Sequence, residues 1–103
     1  MPVVVTAVFL PAHGRREELI AALSASIPAV HQEEGCRLYA IHDAEDGTVT
    51  MIEKWESAQA LAAHADGPAV GALRQRIAGL VAEPAIVTTM TPLPAGTVDQ
   101  GQL

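Results

Sequence analysis

The fold is decided by residues 36–56, CRLYAIHDAEDGTVTMIEKWE. Two runs rich in β-branched and aromatic residues, 36–44 and 48–56, flank the tripeptide Glu45-Asp46-Gly47. An Asp-Gly pair between such runs is a strong signal for a tight hairpin. The stretch therefore predicts two antiparallel strands. The period of two places one set of side chains on a common face of the second strand: Val49, Met51, Glu53 and Trp55.

On the amino-terminal side, the sequence predicts a strand and then a helix. Residues 2–10, PVVVTAVFL, are strand-like, apolar on both faces and ended by Pro11. A strand of this kind must be covered on both faces. Apolar residues then recur at helical spacing from Gly14 to about Val30, with two acidic residues in the first turn. Pro28 predicts a kink or an early end of this helix, because it removes one backbone donor.

On the carboxyl-terminal side, the sequence predicts a divided helix, a last strand and a tail. Ser57 is a good N-cap for a helix through His64, and Gly67-Pro68 should interrupt it before a second helical piece that reaches Val81. Residues 84–91 are again strand-like, whereas residues 92–103 have the Pro, Gly and polar content of a loose tail. We therefore expect one domain over residues 1–91, followed by a tail.

The predicted element order is β-α-β-β-α-β, which belongs to the α+β class. It is typical of the ferredoxin-like plan, a four-stranded antiparallel sheet with both helices on one face. This plan leaves the other face of the sheet bare. Because the first strand is apolar on both faces, the bare face would be a large exposed apolar patch. The sequence therefore predicts a homodimer formed through the open sheet face.

Composition excludes several classes of partner. The chain has 103 residues, of which 50% are hydrophobic and 17% charged, as expected for one globular domain. Its formal net charge is -6 and its six basic residues are scattered, so nucleic acid is not expected as a partner. No apolar run approaches the roughly 20 residues of a membrane helix. One cysteine and no leader-like start predict a cytoplasmic protein.

Familiar cofactor and nucleophile motifs are not found. The four histidines are not spaced to share a metal, and the glycines are isolated, so metal, nucleotide and flavin sites are not predicted. Cys36 is the only thiol, and a buried cysteine in a small core is more common than a catalytic one. We therefore expect neither a metal nor a cofactor.

Glu53, Trp55 and His64 are the most promising functional residues. Trp55 is the only tryptophan, and His64 follows it across a strand-to-helix turn that can bring both side chains to one cavity. The hydroxyl of Tyr39 could point into the same cavity. An ordinary structural role is the stronger interpretation on spacing alone, with Trp55 in the core, Glu53 partly solvated and His64 at the helix end.

Residues 2–91 resemble the antibiotic biosynthesis monooxygenase family, particularly its small quinol monooxygenases. The resemblance rests on PVVVTAVFLPAHG, then PAVHQEEGCRLYAIHDAEDG, then MIEKWESAQALAAHADGPAV. Its most specific parts are Glu34-Gly35-Cys36 with Tyr39, and Glu53-x-Trp55 followed by His64. The combination in this order is fairly specific, although each part alone is weak.

The resemblance implies a dimeric α+β barrel in which each protomer holds an apolar pocket between sheet and helices. It implies oxidation of a small aromatic quinol or polyketide-like substrate by O2, without metal, flavin or other cofactor. His64 would be the base or anion stabiliser, and Trp55 the wall that orients the ring. We therefore expect the catalytic residues to be His64, Trp55 and Glu53. The residues expected to bind the substrate are Tyr39, Thr6 and Phe9.

Two alternative functions remain open. The aromatic monooxygenases and the haem-degrading branch that this chain resembles use an asparagine beside the tryptophan or on the first strand, and this chain has no asparagine. Haem degradation is therefore disfavoured, although Trp55 and His64 resemble two of that branch's pocket residues. The other alternative is a non-catalytic module that binds apolar small molecules in the same pocket, since a fold alone does not establish a reaction.

Overall fold

Four strands and three helices make up the computed structural model, which describes residues 1–103. The elements in chain order are β1 (Val3–Phe9), α1 (Arg16–His31), β2 (Cys36–Asp43), β3 (Val49–Trp55), α2 (Ala58–Ala65), α3 (Pro68–Ile77) and β4 (Ile86–Met90). The β-α-β-β-α-β order is confirmed, with its second helical unit divided at Gly67 as expected. None of the three helices has the length and apolar character that a bilayer crossing requires.

The strands form one antiparallel sheet in the order β2-β3-β1-β4, which is the ferredoxin-like arrangement. Val5 on β1 is paired with Glu53 on β3, and Glu53 is paired with Tyr39 on β2. Directly opposed residues share a face of a sheet, so this row points the three side chains the same way. The helices cover that face.

The core lies between the sheet and the helices. Leu19, Leu23 and Val30 of α1 are completely buried against it, as are Val49 and Trp55 of β3. The alternation of buried and partly exposed residues along β3 is regular over all seven positions. It follows from the period of two, which sends every second side chain to the helices.

The opposite face of the sheet carries no helix. Thr6 lies near its middle, opposite Ile52 on β3 and Thr88 on β4. At the β4 edge, Ile86 is 65% exposed and Met90 is 38% exposed. The expectation of an open face with apolar content is therefore met.

Two helix ends differ from the sequence-based expectation. Of the two alternatives predicted at Pro28, a kink or an early end, the early end does not occur, because α1 continues through the proline to His31. Its last turn is closed by backbone bonds, such as Glu33 N to Val30 O at 3.0 Å, that do not need the missing donor. Helix α3 ends at Ile77 and not at Val81, because the backbone leaves the helical region at Ala78, with a ψ of 126°, and turns through the left-handed Gly79, with a φ of +80°.

The turn and the tail have defined backbone structure. Gly47 has a φ of +91°, and the Asp46 carboxylate accepts from the Thr48 amide at 2.9 Å, which gives the predicted tight hairpin. Residues 92–103 contain no helix or strand. A turn closes within them where Gly101 N donates to Thr97 O at 2.8 Å.

Candidate functional site

A cavity of about 590 Å³ lies between the helix-covered face of the sheet and helices α2 and α3. Its lining is mostly apolar. The floor consists of buried side chains from β1, β2, β3 and α2, chiefly Val5, Ala7, Phe9, Tyr39, Glu53 and His64. The rim consists of exposed residues from α3, the following loop and β4: Arg74, Ala78, Pro84, Val87 and Thr89. The cavity therefore opens between α3 and β4.

The position of His64 depends on how α2 begins and where it packs. The Ser57 hydroxyl accepts a hydrogen bond from Ala60 N at 3.1 Å and so caps the helix, as the sequence predicts. Gly35 has a φ of +81°, and a Cβ there would lie 2.6 Å from the Cβ of Ala60. Only glycine permits this close approach. The approach holds α2 against the start of β2, with His64 over the sheet.

His64 forms a hydrogen-bonded pair with Glu33. The distance from His64 Nδ1 to Glu33 Oε1 is 2.6 Å, and the two side chains are 7% and 21% exposed. An ionised carboxylate only accepts hydrogen bonds, so Nδ1 is the donor and Nε2 of the neutral ring keeps its lone pair. Nε2 has no hydrogen-bond partner. Every fully buried side-chain nitrogen or oxygen in the structure has one, so Nε2 is not fully buried. Since His64 lines the cavity, we infer that Nε2 opens onto it.

Glu33 is the residue that the sequence analysis missed. It lies just beyond the end of α1, and 31 positions separate it from His64. No spacing rule connects two such positions. The available signal was a pair of glutamates before the turn glycine Gly35, and the family resemblance directed attention to the second of them, Glu34, which is exposed.

Trp55 lies behind the cavity. The expectation that it forms the wall against the substrate is corrected, because the side chain is 0% exposed and does not line the cavity. Its ring packs on that of His64, with centroids 4.5 Å apart and planes 31° apart. Its Nε1 donates to Glu53 Oε1 at 2.9 Å. Trp55 therefore supports His64 and Glu53 from the core side.

Glu53 presents a carboxyl group with a perturbed pKa on the floor of the cavity. Burial raises the pKa of Glu53, and this effect exceeds the opposing influence of the Trp55 hydrogen bond and the His64 charge. One carboxyl oxygen accepts from Trp55, while the other has no protein partner. A carboxyl group with a raised pKa can hold or release a proton closer to neutral pH.

Tyr39 supplies a hydroxyl group beside His64. The two ring centroids are 5.5 Å apart at an interplanar angle of 65°. Burial raises the pKa of Tyr39, and the nearby Glu53 and Glu33 charges raise it further. The phenol thus stays protonated at neutral pH. Its hydroxyl has no protein partner and can donate a hydrogen bond to a ligand in the cavity.

Phe9 and Thr6, both expected to bind substrate, lie on opposite faces of β1. Phe9 lines the cavity, whereas Thr6 points to the open face of the sheet. The period of two prevents residues at odd and even positions of one strand from sharing a cavity. Thr6 therefore does not line this cavity, contrary to the expectation that it binds substrate there. Phe9 does line it, where a substrate-binding residue could lie.

The chain is similar in sequence and fold to known proteins. The sequence model described as "Antibiotic biosynthesis monooxygenase" matches residues 2–76. A Mycobacterium tuberculosis protein named "Putative monooxygenase Rv0793" is 34% identical over 93 residues, which cover 89% of this chain and 92% of the relative. Its solved structure superposes with a TM-score of 0.85 at 33% identity, covering 94% of this chain and 100% of that one.

Two further structures extend the comparison. Protein SO0527 from Shewanella oneidensis is 34% identical, with a TM-score of 0.78, over 86% of this chain and 88% of its own. A Nitrosomonas europaea structure titled "Putative antibiotic biosynthesis monooxygenase" shares the fold, with a TM-score of 0.83 at 19% identity, over 92% of this chain and 94% of its own. With the match over residues 2–76, these likenesses show that the chain belongs to the antibiotic biosynthesis monooxygenase family.

Proposed function

We propose that this chain is a cofactor-independent monooxygenase that oxidises a small aromatic quinol or polyketide-like compound with O2. Family membership supports monooxygenase-type chemistry in general. The observation that carries the specific proposal is the pairing of His64 Nδ1 with Glu33, which leaves Nε2 as an acceptor facing an apolar cavity. An acceptor nitrogen in such a place is suited to take a proton from an aromatic hydroxyl group.

The first step is proton transfer from the substrate hydroxyl to His64 Nε2. The ring then carries a positive charge that the Glu33 carboxylate stabilises at 2.6 Å. Tyr39, a protonated donor on the floor of the cavity, hydrogen-bonds the resulting substrate anion. The apolar lining keeps water away from this anion and strengthens both interactions.

The electron-rich anion then reacts with O2 directly. It transfers one electron to O2, and the two radicals combine to form a carbon–oxygen bond. Cleavage of the oxygen–oxygen bond leaves one oxygen atom on the carbon, while the other leaves as water with two protons. For a naphthoquinol, one quinol and one O2 give one hydroxynaphthoquinone and one water. Glu53, whose pKa is raised by burial, is placed to donate a proton to the departing oxygen.

The test is O2 uptake by the purified protein with 1,4-naphthoquinol and anthrone, after subtraction of autoxidation. We expect catalysed uptake, with a loss in kcat of about 10²-fold or more in His64→Gln. His13→Gln is the matched control, because His13 is exposed and has no part in the cavity. Full activity in His64→Gln would exclude His64 as the base.

The second candidate function is binding of apolar small molecules without turnover. The mostly apolar cavity of about 590 Å³ favours it independently of any proton transfer. Its signature is a ligand that raises the Tm and is recovered chemically unchanged after prolonged aerobic incubation. Catalysed O2 uptake in the first experiment would exclude it.

We further propose that two copies of the chain pair through the open sheet face. Support comes from the uncovered face itself, where β1 contributes Val4, Thr6 and Val8 and the exposed Ile86 lies at the edge. Pairing removes this apolar surface from water. Light scattering should give twice the chain mass, and Thr6→Arg, which places a charge near the middle of the face, should give a monomer. A wild-type monomer would contradict this proposal.

A further inference from the structure

Arg74 occupies an unusual position on helix α3. The helix and the residue directly after it face the cavity at i, i+3, i+4, i+7 and i+8: Val70, Leu73, Arg74, Ile77 and Ala78. Four of these five residues are apolar, as expected for a helix stripe that faces an apolar cavity. The fifth is the only cationic side chain among the cavity lining. It lies at the exposed rim, on the side away from the buried floor.

The guanidinium of Arg74 has no partner within the protein. Three other arginines form ion pairs with acidic residues of the chain: Arg15, Arg16 and Arg37. Arg76, two positions along the same helix, donates to the Ser26 hydroxyl at 3.1 Å. Acidic residues outnumber basic ones by 12 to 6 in this chain, yet none pairs with Arg74. Its charge and its donors are therefore available to a ligand.

The charges around the cavity are arranged by depth. Glu53 lies on the floor, and Glu33 lies directly behind His64. Arg74 is the only lysine or arginine in the cavity lining and lies at the rim, so a permanently anionic group on a ligand is attracted to the rim. An aromatic ligand with a hydroxyl at one end and an anionic group at the other would thus bind in one orientation, with the hydroxyl inward.

We propose that Arg74 binds a carboxylate on the substrate, at the end remote from the reacting hydroxyl. Within the substrate class of the proposed function, the preferred compound is accordingly one that also carries a carboxylate, and a neutral quinol lacks this contact. The assignment of the reacting hydroxyl rests on the proposed function. Arginine is well suited to this contact because its planar guanidinium matches a carboxylate with two parallel hydrogen bonds.

A purely structural role for Arg74 predicts a different behaviour. Its aliphatic stem could simply cover apolar surface while the charge stays in water. Arg74→Met keeps a long apolar side chain and removes the charge. Under the structural role, this variant affects neutral and anionic ligands equally. Under our proposal, it affects only the anionic ligand.

The experiment measures binding by calorimetry for 6-hydroxy-2-naphthoate and 2-naphthol, which differ only in the remote carboxylate. We expect the wild-type protein to prefer the acid by about 10-fold, the size expected of a charge-assisted hydrogen bond. Arg74→Met should abolish the preference. Arg76→Met is the matched control and should retain it, because Arg76 does not line the cavity.

Three outcomes would overturn the proposal: equal affinities in the wild type, a preference that survives in Arg74→Met, and no measurable binding of either ligand. The measurement needs no turnover, so its result is separate from the O2-uptake test. A carboxylate preference without O2 uptake would refute the oxygenase and keep the Arg74 subsite. O2 uptake without the carboxylate preference would keep the oxygenase and refute the Arg74 subsite.

Discussion

The indole of Trp55 lies against the imidazole of His64, with ring centroids 4.5 Å apart and an interplanar angle of 31°. Each ring also holds one carboxyl group: Trp55 donates to Glu53, and His64 pairs with Glu33. Two hydrogen-bonded pairs are thus joined through a ring contact inside the core. A substitution in the Trp55–Glu53 pair should therefore also affect the His64–Glu33 pair, and the converse should hold.

Trp55→Phe should lower the free energy of unfolding and remove the hydrogen bond that holds the Glu53 carboxyl group. Phenylalanine keeps an aromatic ring near His64 but removes the donor to the buried carboxyl of Glu53. An unpaired buried acceptor costs about 1–3 kcal/mol. Urea unfolding followed by circular dichroism checks this cost, since the variant has no tryptophan fluorescence. A loss below about 0.5 kcal/mol, the range of ordinary surface substitutions, would mean that the hydrogen bond contributes little.

Glu33→Gln should reverse the protonation pattern of the His64 ring. The glutamine amide can donate to Nδ1, which moves the ring proton to Nε2 and removes the lone pair from the cavity side. We expect kcat to fall by about 10²-fold or more, as for a histidine held in the wrong tautomer. KM should change little, because Glu33 does not line the cavity.

Nitrogen NMR of the imidazole rings reads this tautomer directly. In the wild type, Nδ1 of His64 should carry the proton, and in Glu33→Gln it should be Nε2. Glu34→Gln is the matched control, since Glu34 is adjacent but exposed. An unchanged ring spectrum in Glu33→Gln would show that the pair does not set the tautomer.

Glu53→Gln should stabilise the protein more at neutral than at acidic pH. Because burial raises the pKa of Glu53, the folded state holds this proton more tightly than the unfolded state. The free energy of unfolding therefore falls as pH rises from the unfolded pKa, about 4.3, to the raised folded pKa. Glutamine removes this loss while its carbonyl still accepts from Trp55.

Urea unfolding at about pH 4 and about pH 8 tests this linkage. The gain of Glu53→Gln over the wild type should be present at the higher pH and shrink toward the lower one. A gain that is independent of pH would mean that the Glu53 carboxyl is not titrating in this window.

Gly35→Ala should destabilise the fold by at least about 2 kcal/mol, because two costs combine. The left-handed backbone at a φ of +81° is unfavourable for alanine, and the new Cβ meets the Cβ of Ala60 at 2.6 Å. Gly47→Ala is the control, since its φ of +91° is similar but nothing lies within 4 Å of the added Cβ. Equal losses in thermal unfolding would show that the approach of α2 contributes nothing.

The sequence predicted the strands and their order because each carries a local signal. The Asp-Gly turn at residues 46–47 and the break at Gly67-Pro68 both act within a few residues. The end of α1 was less predictable. Pro28 removes one donor but sits where the helix is already packed on the sheet, and packing outweighs one lost hydrogen bond.

The site was only partly predictable because it depends on long-range contacts. Alternation along β3 was enough to put Glu53 and Trp55 on one face. It could not show that Trp55 would be buried behind His64, since that follows from how α2 packs. The same holds for Glu33, which reaches His64 only after α1 and α2 are assembled.

The division of the cavity into a buried floor and an exposed rim has a consequence for evolution. Substitutions at exposed positions such as Val87 and Ala78 usually change stability by less than about 0.5 kcal/mol, whereas buried floor residues tolerate little. A lineage can therefore alter the rim and acquire new substrates without passing through unfolded intermediates. Under the proposed function, the reacting groups lie in the core, and substrate choice can diverge at the rim.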